Sequence, residues 1–209
     1  MLGAAEDAGI VHILGCEFRW DPGQALLARA VSSGAVGAPR LAVFMLHVPF
    51  LADESAEVPK WWAEADQGGG WLGAHGSQVI DQIRMTLGEF ESVSASLPHV
   101  AGRSDMSAED AFVVHFTMRS GAAGILQSTS GDLAPPIFIT RASGDKGAAW
   151  IEGASATVQV ADSDGTRTLP VPDDLSHGLS APALPDGIVN TTYDRMISHG
   201  MDFGPYTRL

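Results

Sequence analysis

Hydrophobic residues recur along the chain with two different periods. A spacing of three or four residues, which places side chains on one face of a helix, occurs in two segments. The first follows Asp21-Pro22 and carries Leu26, Leu27, Ala30 and Val31, and the second runs from Ser77 to Leu87 with Val79, Ile80, Ile83 and Leu87 as its apolar stripe. Asp-Pro is typical of a helix start, and Gly34 and Gly88 predict where the two helices end.

Elsewhere short apolar runs are separated by turn residues, a pattern that predicts strands. The predicted strands are 10–16, 41–50, 91–97, 111–118, 122–130, 136–142, 147–152, 156–161 and 166–171. Turns such as Arg-Ser-Gly at 119–121 join them as hairpins. We also expect a helix that ends at Gly9, a surface loop over 172–189 and a final helix from Thr191 to His199. These elements indicate an α+β fold with one largely antiparallel open sheet and helices on one face.

Composition and charge narrow the range of partners. The 209 residues include 45% hydrophobic side chains and carry a formal net charge of −13, which is typical of an acidic globular protein. Nucleic acids and anionic membrane surfaces bind through Lys and Arg, so neither is an expected partner. No apolar run approaches the ~20 residues that span a bilayer. The single cysteine, Cys16, favours a reducing, cytoplasmic setting, and we interpret it as a buried apolar residue rather than a catalytic thiol.

A glycine-rich phosphate loop is missing from its usual context. No Gly-x-Gly-x-x-Gly lies between a predicted strand and a predicted helix, and the triplet Gly68-Gly-Gly70 follows a polar loop instead. Phosphate cradling needs backbone donors at a helix N-terminus directly after a strand. We therefore expect no dinucleotide site in this chain. The scattered histidines His12, His47 and His115 do not predict a metal site either.

Several motifs occur in one order along the chain. Residues 68–81 read Gly-Gly-Gly-Trp-Leu-Gly-Ala-His-Gly-Ser-Gln-Val-Ile-Asp, and around them stand Ala4-Ala5-x-x-Ala8-Gly9, Arg19-Trp20-x-Pro22, Gly34-x-x-Gly37, Glu109-Asp110 and Gly144-x-x-Gly147. Over about residues 4–170 this series resembles the second domain of the glucose–fructose oxidoreductase/inositol dehydrogenase (Gfo/Idh/MocA) family, whose C-terminal domain is dihydrodipicolinate-reductase-like.

The resemblance implies a two-domain parent protein with a Rossmann domain that this chain lacks. Residues 1–9 then correspond to the helix before the domain, 10–171 to an α/β substrate and oligomerisation domain, and 172–209 to a loop and a truncated helical segment. The implied parent is an NAD(P)-dependent oxidoreductase of sugars, polyols or related hydroxy compounds. NAD or NADP would bind the parent, and we expect none to bind this chain alone. A homodimer or tetramer through the open sheet face is implied, and an uncovered apolar face favours one on physical grounds as well.

The catalytic positions of the motif depart from the family. The family's aspartate falls at Ala74 and its histidine at Gln78, and glutamine cannot accept a proton from a hydroxyl. The nearest ionisable replacement is His75, whose pKa a helix N-terminus would lower so that it stays a neutral base. A structural role in entering the helix is the simpler interpretation of His75. Gln78 and Asp81 share one helical face, where they either line a polyol pocket or form a solvated surface.

Other candidate residues surround the glycine triplet. Trp71, with Trp61 and Trp62, could stack on a sugar ring, although at least one of the three should pack beneath the sheet. Arg19 and Lys60 are candidate substrate contacts, and for Lys60 a surface role is the alternative. Glu109 and Asp110 are paired acids or a solvated turn before a strand.

Three functional hypotheses remain open. The first is the substrate-side domain of the oxidoreductase described above, inactive without its other domain. The second is a stand-alone, non-catalytic binding or assembly module, favoured by the changes at Ala74 and Gln78. The third is a hydrolase that uses His75 with Asp81 or Asp66, which no Gly-x-Ser-x-Gly motif supports.

Overall fold

A computed structural model describes residues 1–153 and 157–176 of the chain. Its helices are α1 (Leu2–Asp7), α2 (Pro22–Ser32), α3 (Lys60–Ala63) and α4 (Ser77–Leu87), with 3-10 turns at Glu17–Trp20 and Ala65–Gln67 and a π-helical turn at Leu72–Gly76. Its strands are β1 (Pro39–His47), β2 (Phe90–Ser96), β3 (Ala111–Met118), β4 (Ala123–Thr129), β5 (Ile137–Gly144), β6 (Gly147–Glu152), β7 (Val158–Asp162) and β8 (Gly165–Leu169).

All eight strands form one open sheet in the order β2-β3-β4-β1-β5-β6-β7-β8. The pair β1–β4 is parallel, and every other neighbouring pair is antiparallel. A parallel pair needs a long connection between its two strands. The connection from β1 to β4 is long because it contains α4 and the strands β2 and β3. The α+β fold with a largely antiparallel sheet is thereby confirmed.

The helices α2 and α4 pack on each other, and α2 packs on β6 and β7. Asp21 starts α2 as the sequence predicts, because its Oδ1 accepts a hydrogen bond of 3.1 Å from the backbone N–H of Gln24. The core between the helices and the sheet is aliphatic and aromatic. Its fully buried members include Leu27, Val36, Phe44, Ile83, Phe112, Phe116, Val158 and Val160.

The opposite face of the sheet has no covering element among the described residues. Alternation along β1 buries Ala42 and Phe44 and turns Leu41, which is 58% exposed, to the other side. The register continues this open face across neighbouring strands. One row of opposed residues is His115, Ile125, Val43, Arg141 and Trp150, and a second is Val113, Gln127, Met45, Ile139 and Glu152. The open face thus combines apolar side chains at its centre with the polar Gln127 and Arg141 beside them.

The prediction of a strand over residues 10–16 is wrong for the chain as described. These residues pair with no strand in the described part of the chain, and their apolar side chains are exposed, with Val11 at 100% and Leu14 at 83%. An apolar run indicates that a strand can form, but a strand also needs a partner that satisfies its backbone groups.

The apolar stripe of α4 is also only partly correct. Val79, Ile83 and Leu87 are buried, but Ile80 is 38% exposed, and the polar residues Gln82 and Thr86 are buried instead. Gln82 can be buried because its amide donates to the side-chain oxygen of Gln24 on α2. The predicted helix from Thr191 to His199 lies outside the described residues. In the described part of the chain, no helix is long and apolar enough to cross a bilayer.

Candidate functional site

The glycine triplet is a tightly packed turn. A Cβ on Gly69 would lie 2.0 Å from the carbonyl oxygen of Trp61, and one on Gly70 would lie 2.3 Å from a carboxylate oxygen of Glu109. Gly70 also has φ of 82°, a left-handed conformation that glycine adopts without strain. The close approach of Gly69 to the Trp61 backbone, and of Gly70 to the Glu109 side chain, therefore accounts for glycine at these two positions.

The same turn does not fit a dinucleotide phosphate. The backbone donors on either side of Gly70 are already used: the N–H of Gly69 donates to the Glu64 carbonyl, and the N–H of Trp71 donates to the Glu109 carbonyl at 2.9 Å. The Glu109 carboxylate accepts the next N–H, that of Leu72, at 2.9 Å. A phosphate here would meet occupied donors and a negative charge.

His75 lies in the π-helical turn that leads directly into α4. Its ring stacks on Trp71 with centroids 4.9 Å apart and also contacts Phe18 and Phe112. Burial in this aromatic environment lowers the pKa of His75 from 6.5 to about 3. The ring is therefore neutral at neutral pH, and its Nε2 has no hydrogen-bond partner within the described structure. The sequence gives the correct direction of the pKa shift but the wrong cause, since desolvation and not a helix terminus produces it.

Gln78 follows one turn later and faces the 3-10 turn at Glu17–Trp20. Its Nε2 donates to Glu17 Oε2 at 2.9 Å and approaches the Gly15 carbonyl oxygen at 3.5 Å. Its Oε1 is buried without a partner in the described residues. Glu17 itself is only 5% exposed. The Gln78 side chain thus contacts a buried carboxylate.

Arg19 and Asp81 form the second contact between this turn and α4. The guanidinium Nε and Nη2 of Arg19 donate to the two carboxylate oxygens of Asp81 in a bidentate pair. The side chains are 33% and 17% exposed, respectively, so the pair is partly desolvated. Hydrogen bonding to Asp81 raises the pKa of Arg19 further. The pair holds the 3-10 turn against α4, and each of its two charges is balanced by the other.

The tryptophans divide between core and surface. Trp71 is 3% exposed, and its Nε1 donates to Ser128 Oγ at 2.7 Å, while Ser128 Oγ donates to the Leu46 carbonyl. Trp62 is also buried, which agrees with the expectation that at least one of the three packs beneath the sheet. Trp61 is 41% exposed. Of these three tryptophans Trp61, not Trp71, is therefore the one exposed to solvent.

Lys60 and the acidic pair have simple surroundings. The Lys60 side chain is 87% exposed, and its Nζ lies 3.5 Å from Glu64 one turn later. Asp110 is 2% exposed and accepts hydrogen bonds from the backbone N–H groups of Val100 and Ala101 at 2.7 and 2.8 Å. The expectation of a solvated turn is therefore wrong for Asp110, which organises the loop before β3, and Glu109 instead secures the glycine turn.

Cys16 and the histidines complete the inventory of reactive groups. Cys16 is partly buried, and desolvation together with the nearby Asp81 raises the pKa of its thiol. A raised pKa disfavours the nucleophilic thiolate. Among residues 1–153 and 157–176, no three His, Cys, Asp or Glu side chains are grouped in a way that could hold a metal ion.

The structure brings some of the candidate residues together and separates others. Arg19, Gln78 and Asp81 meet where the 3-10 turn packs on α4, and His75 lies one turn earlier on the same helix. Trp71 belongs to the core behind His75. Glu17 belongs to this site, and sequence reasoning missed it. Because Glu17 and Gln78 lie 61 positions apart, no local spacing connects them; only the neighbouring Arg19-Trp20-x-Pro22 motif drew attention to this turn.

The comparisons with known proteins agree on one family. The family model described as "GFO/IDH/MocA C-terminal domain" matches residues 25–149. Levoglucosan dehydrogenase of Pseudarthrobacter phenanthrenivorans is 33% identical over 101 residues, which is 46% of this chain and 25% of that protein.

Solved structures show the same fold. Levoglucosan dehydrogenase in complex with NADH matches with a TM-score of 0.73 and 22% identity, covering 95% of this chain and 57% of that one. An oxidoreductase from Agrobacterium radiobacter in complex with NAD+, L-tartaric acid and magnesium matches with a TM-score of 0.68 and 17% identity, covering 96% and 59%. This chain thus spans little more than half the length of these structures, and over that span it belongs to the GFO/IDH/MocA family as its C-terminal domain.

Proposed function

We propose that this chain is the substrate-side domain of an NAD(P)-dependent oxidoreductase that acts on a hydroxyl group of a sugar or polyol. The family match over residues 25–149 carries the proposal. The 33% identity to a levoglucosan dehydrogenase supports a sugar as the substrate class. In this account the second domain holds the nicotinamide, which supplies the hydride acceptor, and this chain supplies the wall that binds and orients the substrate.

The exposed segment before the first 3-10 turn supports a second domain. Ile10, Val11, Ile13 and Leu14 are 59%, 100%, 74% and 83% exposed. A run that is apolar at nearly every position is typical of a strand inside a parallel sheet, which helices cover on both faces. We infer that residues 10–15, which the family resemblance places at the start of the substrate domain, join the sheet of the dinucleotide-binding domain instead.

Proton transfer in this domain cannot follow the family's pattern. Ala74 has no ionisable group, and Gln78 uses its amide to hold Glu17. His75 is neutral, as a base should be, but aromatic rings enclose it. In this proposal the described side chains bind and orient a hydroxyl group of the substrate. His75 and Asp81 remain predicted catalytic groups. The predicted substrate contacts are Trp71, Arg19 and Lys60.

A fusion protein tests the proposal. The dinucleotide-binding domain of the Pseudarthrobacter levoglucosan dehydrogenase is joined ahead of residue 1, and backbone hydrogen exchange is measured over residues 10–15. We expect rapid exchange in the chain alone and protection in the fusion, because strand pairing satisfies these amides. The exposed loop around Leu133 serves as the internal control and should exchange rapidly in both proteins. Rapid exchange of residues 10–15 in the fusion would count against the second domain.

A non-catalytic binding or assembly module is the second candidate. The observation that favours it is the absence of ionisable groups at positions 74 and 78. The same fusion distinguishes the oxidoreductase domain from the non-catalytic module, because turnover of levoglucosan with NAD+ supports the oxidoreductase. Binding of NADH without turnover, in a fusion that also carries Ala74→Asp and Gln78→His, supports the module.

We also propose that the open face of the sheet joins two copies of this chain. Its centre contains Val43, Met45, Ile125 and Ile139, and burial of such a face is favourable. Val43→Glu would place a charge in that interface, whereas Ile80→Glu places one on the partly exposed surface of α4. Light scattering should show a homodimer or tetramer that the first substitution dissociates and the second leaves intact. A monomeric parent chain would refute this arrangement.

Finally, we propose a cytoplasmic setting. The single free cysteine, Cys16, supports it, because proteins of oxidising compartments commonly pair their cysteines.

A further inference from the structure

Glu17 is a buried carboxylate with few partners. It is 5% exposed, and from the described residues it accepts one hydrogen bond, from Gln78 Nε2. An ionised carboxylate has about four acceptor sites, and a carboxylate is almost never buried unless it is paired. Glu17 therefore holds acceptor capacity that the described part of the protein does not use.

The nearest cation does not neutralise Glu17. Arg19 lies two residues later in the same 3-10 turn, but its guanidinium forms the bidentate pair with Asp81. The local charge around Glu17 is consequently negative. An anionic group that approached it would be repelled, whereas a hydroxyl donor would be attracted.

The neighbouring polar atoms also favour an uncharged ligand. Gln78 directs its amide donors to Glu17 and Gly15, which leaves Oε1, an acceptor without a described partner. His75, one turn away on the same helix, is neutral, and its Nε2 has no partner in the described structure. An unpartnered amide oxygen and an under-used carboxylate thus occur together where the 3-10 turn packs on α4, and a second unpartnered atom lies on the neighbouring His75. Buried polar groups that lack partners are costly, so this arrangement indicates a group that arrives with a ligand.

We propose that Glu17 accepts a hydrogen bond from a hydroxyl group of an uncharged polyhydroxy substrate, and that its charge excludes substrates bearing a carboxylate or phosphate. This proposal rests on the proposed function for its polyol class and sharpens it to neutral compounds. Glu17 acts as a specificity-determining residue, and Gln78 orients its carboxylate.

Two probes of opposite character test the proposal on this chain without any cofactor. Levoglucosan is the neutral probe, and L-tartrate, a hydroxy dicarboxylate, is the anionic one. Each is titrated into 15N-labelled protein while the side-chain amide resonances of Gln78 are followed. The variant Glu17→Gln keeps the size of the side chain and an oxygen that can accept from Gln78 but removes the charge. The matched control is Glu91→Gln on β2, whose parent side chain is 65% exposed.

The expected changes have opposite signs. In Glu17→Gln the affinity for levoglucosan falls about tenfold or more, as loss of a charge-assisted hydrogen bond implies. The affinity for L-tartrate rises in the same variant because the repulsion is gone, and Glu91→Gln changes neither affinity. A disturbed fold would weaken both probes together, and the full amide spectrum reports it.

Three results would overturn the proposal: both affinities falling together, neither changing, or no saturable levoglucosan binding by the parent chain. Since no nicotinamide and no second domain take part, these outcomes are independent of the fusion experiment. A failure here leaves the oxidoreductase assignment standing, and a failure of the fusion leaves the hydroxyl site of Glu17 standing.

Discussion

Acidification should destabilise this domain through His75 before it protonates ordinary carboxylates. In the unfolded chain His75 titrates near its usual pKa of 6.5, whereas burial lowers the pKa to about 3 in the fold. As the pH falls below 6.5 the unfolded chain takes up a proton that the folded chain refuses, so stability is lost from about pH 6.5 down to about pH 3. Above pH 6.5 both states are neutral at this position and the effect vanishes.

The magnitude follows from the width of the pH window. At pH 5 the unfolded chain lies about 1.5 pH units below the pKa of its histidine while the folded chain is still unprotonated, and each unit corresponds to about 1.4 kcal/mol. The free energy of unfolding should therefore fall by about 2 kcal/mol between pH 7.5 and pH 5. Carboxylates with unperturbed pKa values near 4 contribute little in this window.

Urea unfolding followed by tryptophan fluorescence at several pH values measures the loss. His75→Phe keeps an aromatic ring among Trp71, Phe18 and Phe112 but has nothing to protonate, so its stability should be nearly constant from pH 7.5 to pH 5. His99→Gln, which changes an exposed histidine, should keep the pH dependence of the parent. Parallel pH profiles for the parent and His75→Phe would refute the burial of a neutral imidazole.

Five further substitutions test the packing around the site. Gly69→Ala should cost about 3 kcal/mol or more of stability by overpacking, because its Cβ meets the Trp61 carbonyl oxygen. Gly68→Ala, which has open space around its Cβ but a φ of 70°, should cost only about 1–2 kcal/mol. Equal losses in thermal unfolding would contradict the close approach at Gly69. Trp71→Phe should cost more than the ~1 kcal/mol of its hydrogen bond to Ser128, because the smaller ring also leaves a cavity in the core. A double-mutant cycle with Ser128→Ala isolates the hydrogen bond, and the two losses should be non-additive. Asp110→Ala should lower the free energy of unfolding in urea by about 2 kcal/mol or more, because two backbone N–H groups before β3 lose their acceptor. A loss near zero would mean that water replaces the carboxylate.

Local patterns predicted the regular elements of the fold well. Helix α4 runs from Ser77 to Leu87 as the sequence predicts, because an apolar period and a terminal glycine are both local signals. The strands β3 and β6 also have their predicted bounds. Strand 10–16 was wrong because a strand depends on a partner, which its own residues do not encode.

The site was less accessible from the sequence for a related reason. Arg19 with Asp81, and Glu17 with Gln78, pair across about sixty positions, and no periodicity relates residues so far apart. Motif order identified Arg19, Gln78 and Asp81 separately but did not predict the pairing of Arg19 with Asp81, and it missed Glu17. The burial of Asp110 and the exposure of Ile80 likewise depend on how loops and helices pack, which local spacing does not determine.

We infer that NADH binds a separate dinucleotide-binding domain and not this chain. Titration with NADH, monitored by NADH fluorescence, tests this inference directly. The chain alone should show no saturable change, because the donors on either side of Gly70 in its glycine turn are occupied and the Glu109 carboxylate lies beside them. The fusion with the dinucleotide-binding domain should bind NADH saturably. Saturable micromolar binding by the 209-residue chain alone would contradict the account.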